Sequence, residues 1–429
     1  MESVGSGSTL ETSLAGSPLI TVPEVMYSSG DISQAVEASV NDLICVMLGG
    51  WAMTRKTAFI YDEAMSRHQL RGDHPMRPVR LQHTFDLLSA YGAFDQNTSQ
   101  LVPPRPACEE ELSWFHTDEY IQAVKSFSHG LFEYDMNRFN FSTHGDNPAF
   151  LGMFEAAALS TGGTLVAAEM VAQKQVDVAF NISGGLHHAA PDHTSGFCVF
   201  NDPALAVMYF LSKGWKVAYV DIDAHHGDGV QNAFFDDPRV LTVSVHESGR
   251  FIFPGTGHAD EVGKGSGLGY AVNLPLYPYT GDDIYLESFA EVVPPLLRAF
   301  APDVLVTQLG IDTYHSDPLT HLQVTTRGYV EAVREFAKLA NAGMPWLAMG
   351  GGGYDLSAVA RGWTLAYGVM LDVEWPDALP ASLVEQVGDG TLRDSTTPSI
   401  PDDVRLDARR YADDSVEQIK ERVFPTHSL

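Results

Sequence analysis

Asp221-Ile-Asp223-Ala-His225 places two carboxylates and a histidine at two-residue spacing where an apolar run, Val217-Ala-Tyr-Val-Asp-Ile222, comes to its end. In a continuing strand such residues project from one face. Carrying them on a buried face is costly unless they bind a cation or one another. His226-Gly-Asp-Gly229 follows at once and adds a second His–Asp pair on a glycine-rich turn. Another apolar run, Val176-Asp-Val-Ala-Phe180, leads to Ser183-Gly-Gly-Leu-His187-His188, and Val304-Leu-Val-Thr-Gln-Leu309 leads to Gly310-Ile-Asp312. Strand ends that deliver Asp, His and His-His together suggest a metal site with catalytic histidines. Four glycines, 350 to 353, precede Tyr354 with no Lys-Ser or Lys-Thr behind them, which argues against a phosphate cradle. Backbone freedom that lets Tyr354 approach a reacting centre fits better, since a phenol can stabilise the oxyanion formed when water adds to a carbonyl.

The elements that must position these residues are legible in outline. Short apolar runs at 58–61, 176–180, 217–222, 240–245, 304–309 and 346–349 read as strands, and helical spacing marks 80–90, 204–211 and 329–340. Asp202-Pro203 reads as an N-cap followed by proline at the first helical position. Continuous apolar strands alternating with helices predict an α/β domain with a mostly parallel central sheet covered on both faces. The polar residues gather beyond the carboxyl ends of the strands, where an open α/β sheet places its ligand. After about residue 375 the chain turns acidic and Pro-rich, with an amphipathic helix expected near 415–424 and the rest read as solvated surface.

With 26 basic against 55 acidic residues the net charge is −29, which repels phosphate backbones and anionic lipids. Nucleic-acid and membrane-surface binding are therefore disfavoured, and cationic ligands suit the surface. Cys45, Cys108 and Cys198 share no CxxC spacing, so neither a disulfide framework nor a cysteine zinc site is expected, and the chain reads as cytoplasmic. No Lys or Arg precedes Arg55, which fits neither a secretory signal nor a mitochondrial transit peptide. Residues 1–53 read as a flexible leader or a misassigned start, residues 54–375 as the catalytic domain, and 376–429 as an acidic C-terminal extension.

The motifs together resemble the histone-deacetylase superfamily, on its class I side, including the bacterial acetoin-utilisation deacetylases. The resemblance is carried by His74-Pro-Met-Arg-Pro-Val-Arg80, Phe115-His-Thr-Asp118, Gly184-Gly-Leu-His-His188 and Ser195-Gly-Phe-Cys-Val-Phe-Asn-Asp202. It continues through Asp221–Val230, Phe253-Pro-Gly-Thr-Gly257, Gly310-Ile-Asp-Thr313, Asp317-Pro-Leu319 and Gly350–Tyr354, in family order over about residues 56 to 372. It implies the arginase/deacetylase fold and hydrolysis of acetyl-lysine amides. Asp223, His225 and Asp312 match the family's metal ligands, implying zinc with ferrous iron as the alternative. His187 and His188 match the tandem histidines, partnered by Asp221 and Asp228, with His188 as general base. Tyr354 matches the residue that hydrogen-bonds the carbonyl. Phe197 and Phe253 match the walls of a lysine channel beside Gly196 and Leu319, and Arg80 matches the arginine of the acetate-exit pocket. A monovalent cation such as K⁺ is implied near the backbone of Asp221, Asp223 and His225 and the Ser244 side chain.

The segment Thr313-Tyr-His-Ser-Asp-Pro-Leu-Thr-His321 resembles the bacterial branch, and the family's acidic rim residue has no firm match, Glu133 and Asp135 being candidates by proximity. His116 and His246 read as structural histidines and Cys198 as a buried small hydrophobe. The expected partner is an acetylated protein or a small acetyl-amine such as an acetylpolyamine; oligomeric state is not readable. Two competing readings are a two-manganese ureohydrolase, because Asp-Ala-His also opens an arginase-type motif, and a silent acyl-lysine binding protein.

Overall fold

The computed structural model describes residues 55–67, 70–388 and 390–429; the expected leader lies outside them. Eight strands form one sheet: β1 Thr57–Ile60, β2 Ser99–Val102, β3 Val178–Asn181, β4 Val217–Asp221, β5 Val240–Glu247, β6 Ala271–Leu276, β7 Val304–Gln308 and β8 Trp346–Met349. Their order is β2-β1-β3-β8-β7-β4-β5-β6, and every pairing is parallel. All strands except the edge strand β2 are buried along their whole length, which explains their continuous apolar runs.

Helices cover both faces: α1 Val79–Ala90, α2 Asp118–Ser128, α3 Met153–Ala172, α4 Asp202–Ser212, α5 Asp228–Ala233, α6 Asp282–Phe300, α7 Thr326–Asn341, α8 Leu356–Leu371 and α9 Asp402–Arg422. α1, α8, α7, α6 and α9 pack in succession as one layer, while α2, α3 and α4 form the other. No helix among the described residues is long and apolar enough to cross a membrane.

The pairing register aligns one transverse row, Asn181, Met349, Gln308, Asp221, Ser244 and Asn273, across six strands. In-register neighbours of a parallel sheet point to the same side, so five polar side chains lie together where the apolar sheet ends. Beyond that row, on the carboxyl edge, lie the loops that bear the candidate residues.

Three expectations need correction. The cap of α4 is Asn201, whose Oδ1 accepts from the Ala204 N–H at 2.9 Å; Asp202 is the first helical residue and its carboxylate points elsewhere. The strands β2 and β6 were not anticipated, the first because it is half exposed and the second because Pro275 interrupts its pattern, which an edge strand tolerates. The C-terminal helix starts thirteen residues earlier than its apolar pattern indicates, at Asp402, because its first half buries only the small Ala408 and Ala412. Nor is this segment simply a solvated surface. Ala412, Ser415, Val416 and Ile419 are buried, and Ser415 Oγ donates to the Pro275 carbonyl at 3.0 Å, so α9 lies over the otherwise open edge strand β6.

His116 and His246 are buried, as is Cys198. His116 Nε2 accepts from the Asn201 N–H at 3.0 Å, and burial pushes its pKa down to about 3 from 6.5. Folded His116 thus stays neutral where the unfolded chain takes up a proton. Stability drawn from it is complete above about pH 6.5 and is lost as pH falls toward the folded value. The stability advantage of the wild type over His116→Gln, which keeps an acceptor, should therefore shrink between about pH 7 and pH 5 in denaturant titrations; a constant difference would contradict a neutral buried His116.

Candidate metal centre

β3 ends in Asn181 and the chain turns through Ser183-Gly-Gly toward the histidine pair. That turn is held by Asp202, which is fully buried: its carboxylate accepts from the N–H groups of Gly185 and Leu186, both at 2.9 Å, and from Thr164 Oγ1 at 2.6 Å. Burial raises its pKa to about 6. Sequence reasoning assigned Asp202 to helix capping; a carboxylate so placed orients the histidines instead.

His187 and His188 meet through their Nε2 atoms at 2.9 Å. Each turns Nδ1 to a carboxylate at 2.7 Å, His187 to Asp221 Oδ2 and His188 to Asp228 Oδ1. Asp221 also accepts from Tyr219 Oη at 2.6 Å and from the Asp223 N–H at 3.1 Å. Burial alone would lower the pKa of His187, but Asp221 and Asp223 outweigh it and raise it to about 9. Burial, with His187 alongside, lowers His188 to about 4. One imidazole of the pair is thereby disposed to hold a proton and the other to accept one.

Asp223, His225 and Asp312 form the one group of three potential metal-ligating residues found among the described residues, their ligand atoms all within 4.8 Å of one another. His225 Nδ1 lies 3.1 Å from Asp223 Oδ1 and 2.9 Å from Asp312 Oδ2. The outward oxygens are pinned: Asp223 Oδ2 accepts from Gln308 Nε2 at 2.6 Å and the Gly352 N–H at 2.7 Å, and Asp312 Oδ1 from the Ala224 N–H at 2.7 Å. Asp223 is held well below the usual carboxylate range: burial opposes this, but His187 and His225 prevail. Burial and the Asp223 charge push Asp312 up to about 8. Two carboxylates this close and this buried cannot both ionise without added positive charge, and a divalent cation supplies it. The donor set fits a cation with three protein ligands and open coordination.

Outward from this cluster opens a cavity of about 360 Å³, walled by Phe197, Phe253, Gly196, Leu319 and Tyr354, with His188 and His225 at its inner end. Phe253 packs edge-on over His188 at 4.9 Å between ring centres, and Phe197 edge-on to Tyr354 at 5.7 Å. Gly196 has φ +50°, and a Cβ there would collide with the His188 ring and stand 2.9 Å from Phe253 Cε1. Asp317 joins the two sides of this wall, accepting from the Tyr354 N–H at 2.8 Å and the Leu319 N–H at 3.0 Å. Arg80 is buried behind Tyr354. It donates to the Gly353 carbonyl at 2.8 Å, lies over the Trp363 ring and lines a second cavity of about 110 Å³ with Leu81, Met153, Ser160 and Leu186.

Of the thirteen site residues anticipated from sequence, twelve surround these two cavities or contact residues that do, and Asp221 stands one step further back, on His187. Ser244, expected near a monovalent cation, spends its hydroxyl on His246 Nδ1 at 2.9 Å. The carboxylate at the mouth of the larger cavity is Asp146, whereas Glu133 and Asp135 do not line it. Gln308 and Asp317 were not singled out, nor was Asp146. Gln308 carried a signal, being a lone amide at the last position of an apolar strand; Asp146, in an exposed polar loop, carried none.

Residues 74–370 match the family described as histone deacetylase domain. Acetoin utilization protein AcuC of Bacillus subtilis (strain 168) is 45% identical over 314 residues, covering 72% of this chain and 80% of that protein. Histone deacetylase 1 of Homo sapiens is 39% identical over 327 residues, covering 76% of this chain and 67% of that protein. A crystal structure of an HDAC homolog complexed with SAHA superposes with a TM-score of 0.77 at 29% identity, over 85% of this chain and 100% of that one.

The three-residue cluster makes a specific demand on Gly352. A Cβ there would collide with Asp312 Oδ2 and lie 2.8 Å from Asp223 Oδ2. Asp312→Ala and Gly352→Ala should both lower bound divalent metal per chain, by at least about tenfold in affinity, while the protein remains folded. Full metal occupancy in Asp312→Ala would refute its ligand role.

Proposed function

Because this chain belongs to the histone deacetylase family, whose members are deacetylase hydrolases, we propose that it hydrolyses the acetamide of acetyl-lysine side chains in proteins and releases acetate. One observation carries this reading: the Asp223–His225–Asp312 cluster and both His–Asp pairs meet at the inner end of a cavity walled by aromatic rings. Two apolar rings pass a methylene stem, and the acetamide then reaches the buried polar end.

Asp223, His225 and Asp312 would hold zinc, with ferrous iron as the alternative. A divalent ion bound there supplies a Lewis acid for the carbonyl oxygen and the attacking water. His188, kept neutral by burial and by the neighbouring His187, makes the pair a base for that water, the proton entering at the Nε2 atoms through which the two rings meet. Asp228 on its Nδ1 fixes the tautomer and steadies the imidazolium that results. His187, held with a higher proton affinity against Asp221, is the electrostatic partner, and the pair delivers a proton to the departing lysine amine. Burial, with Asp312 nearby, raises the Tyr354 phenol well above its ordinary pKa, so it remains a donor for the oxygen on which charge develops. Arg80 and the smaller cavity behind Tyr354 offer acetate a place to leave.

The one cluster of three among the described residues supports a single catalytic metal over a two-manganese ureohydrolase. A monovalent cation such as K⁺ near Asp221 and Ser244 is a further proposal carried by family resemblance. Residues 54–375 would be the catalytic domain and 376–429 an extension that shields its sheet edge. Substrates are sought among acetylated proteins in the cytoplasm, and acetylpolyamines or other small acetyl amides are the alternative. The charge of −29 argues against direct nucleic-acid binding.

Acetate release from acetyl-lysine peptides tests the reading directly: chelation should abolish it and zinc restore it. Tyr354→Phe should lower turnover by about two orders of magnitude with metal retained, the usual consequence of losing an oxyanion donor. Turnover unchanged in that variant would remove Tyr354 from the mechanism.

A further inference from the structure

At the mouth of the larger cavity the fold buries a carboxylate whose partners all belong to one surface histidine. Glu247 ends β5 with no exposed area, and its N–H donates to the carbonyl of Ala224, which lies between Asp223 and His225. Both carboxylate oxygens turn to His321: Oε2 accepts from the backbone N–H at 2.7 Å and Oε1 faces Nδ1 at 2.8 Å. A buried carboxylate needs donors, so the network assigns the imidazole proton to Nδ1. The His321 side chain is 50% exposed and lines the cavity beside Phe253 and Leu319. Its Nε2 has no protein partner among the described residues, and in the neutral ring with Nδ1 protonated that nitrogen is an acceptor.

A loop staple alone would need only the backbone N–H of residue 321. The second bond, to the ring, fixes its orientation and tautomer as well, as a carboxylate does for a histidine that must meet a partner at a set angle. Asp146, exposed at the same mouth, is another acceptor. The methylene stem and acetamide of an acetylated lysine carry no donor at this height, but the peptide groups on either side of that lysine do.

The geometry points to His321 as a specificity-determining residue that accepts a hydrogen bond from a peptide N–H flanking the acetyl-lysine, with Glu247 as its positioning residue. It rests on the deacetylase reading and sharpens it: the mouth is built for acetyl-lysine within a polypeptide in preference to small acetyl amides.

Steady-state acetate release by the metal-loaded protein, on an acetyl-lysine peptide and on N-pentylacetamide, separates these cases. The second compound has a stem and an acetamide but no peptide groups. His321→Ala should raise KM for the peptide about three- to tenfold, the worth of one hydrogen bond, and leave N-pentylacetamide unaffected. Its kcat on the peptide should stay within about twofold, as for a contact made equally in ground and transition states. Glu247→Gln should raise the same KM, because the amide sets an NH2 donor where one of the two accepting oxygens stood. Equal losses on both substrates would mean that the pair only staples the loop, and an unchanged peptide KM would mean that it makes no contact; either result overturns the inference alone. A wild-type protein that releases acetate from neither compound overturns the deacetylase reading, and this inference with it.

Discussion

Negative charge confined where water is scarce is the constraint on which the rest of this structure depends. Asp221, Asp223 and Asp312 are all buried, within reach of His187 and His225, at the carboxyl edge of one sheet. Bare burial of this kind is strongly unfavourable, and the surroundings answer it with directed donors. Backbone N–H groups of residues 223, 224, 225 and 352 and the Gln308 amide all point at these carboxylates. What they leave uncompensated is a charge, which is why the cluster suits a cation and why burial drives Asp312, with Asp223 alongside, toward neutrality without one.

A cluster so demanding needs rigid delivery, and the sheet supplies it. β3, β8, β7 and β4 are adjacent, parallel and level at their carboxyl ends. The four loops that leave them therefore begin at one height and converge over a short distance. Further carboxylates then fix the loops: Asp202 holds the turn before the histidine pair, and Asp317 ties Tyr354 to the loop bearing Leu319. The same device recurs at the rim in Glu247 and His321. In each case a buried acid is matched to backbone N–H groups and sets the angle of a side chain that faces the cavity.

The periphery protects this arrangement. α9, from the acidic C-terminal segment, lies over the edge strand β6 and uses Ser415 to occupy the Pro275 carbonyl. One more acceptor–donor system, centred on the partly buried Asp394, joins distant parts of the chain to the loop that follows Asp312. Arg361 pairs with Asp394 at 2.8 Å, and Tyr314 donates to the same carboxylate at 2.7 Å. The loop that carries Asp312 is thus held from the sheet on one side and from the C-terminal segment on the other.

Local chemistry was legible where residue type and spacing leave few alternatives. Apolar runs long enough for one buried strand, ending in Asp-x-Asp-x-His, His-His or Gly-Ile-Asp, pointed to the parallel α/β class and to the acidic and histidine residues of the candidate site, while the cavity-wall residues came from the family resemblance. The period of two along a strand and the cost of buried charge are both properties of short segments. What only the tertiary structure decided concerns partners remote in sequence. The chain does not say that Asp202 turns away from its own helix to Gly185, that Gln308 reaches Asp223, or that Asp146 and not Glu133 stands at the mouth. Nor does it say that a helix with a mostly charged first half starts at Asp402 to cover an edge strand broken by proline. Those outcomes depend on strand order and register, which bring separations of tens to hundreds of residues into hydrogen-bond range, and no local pattern encodes a distance of that kind.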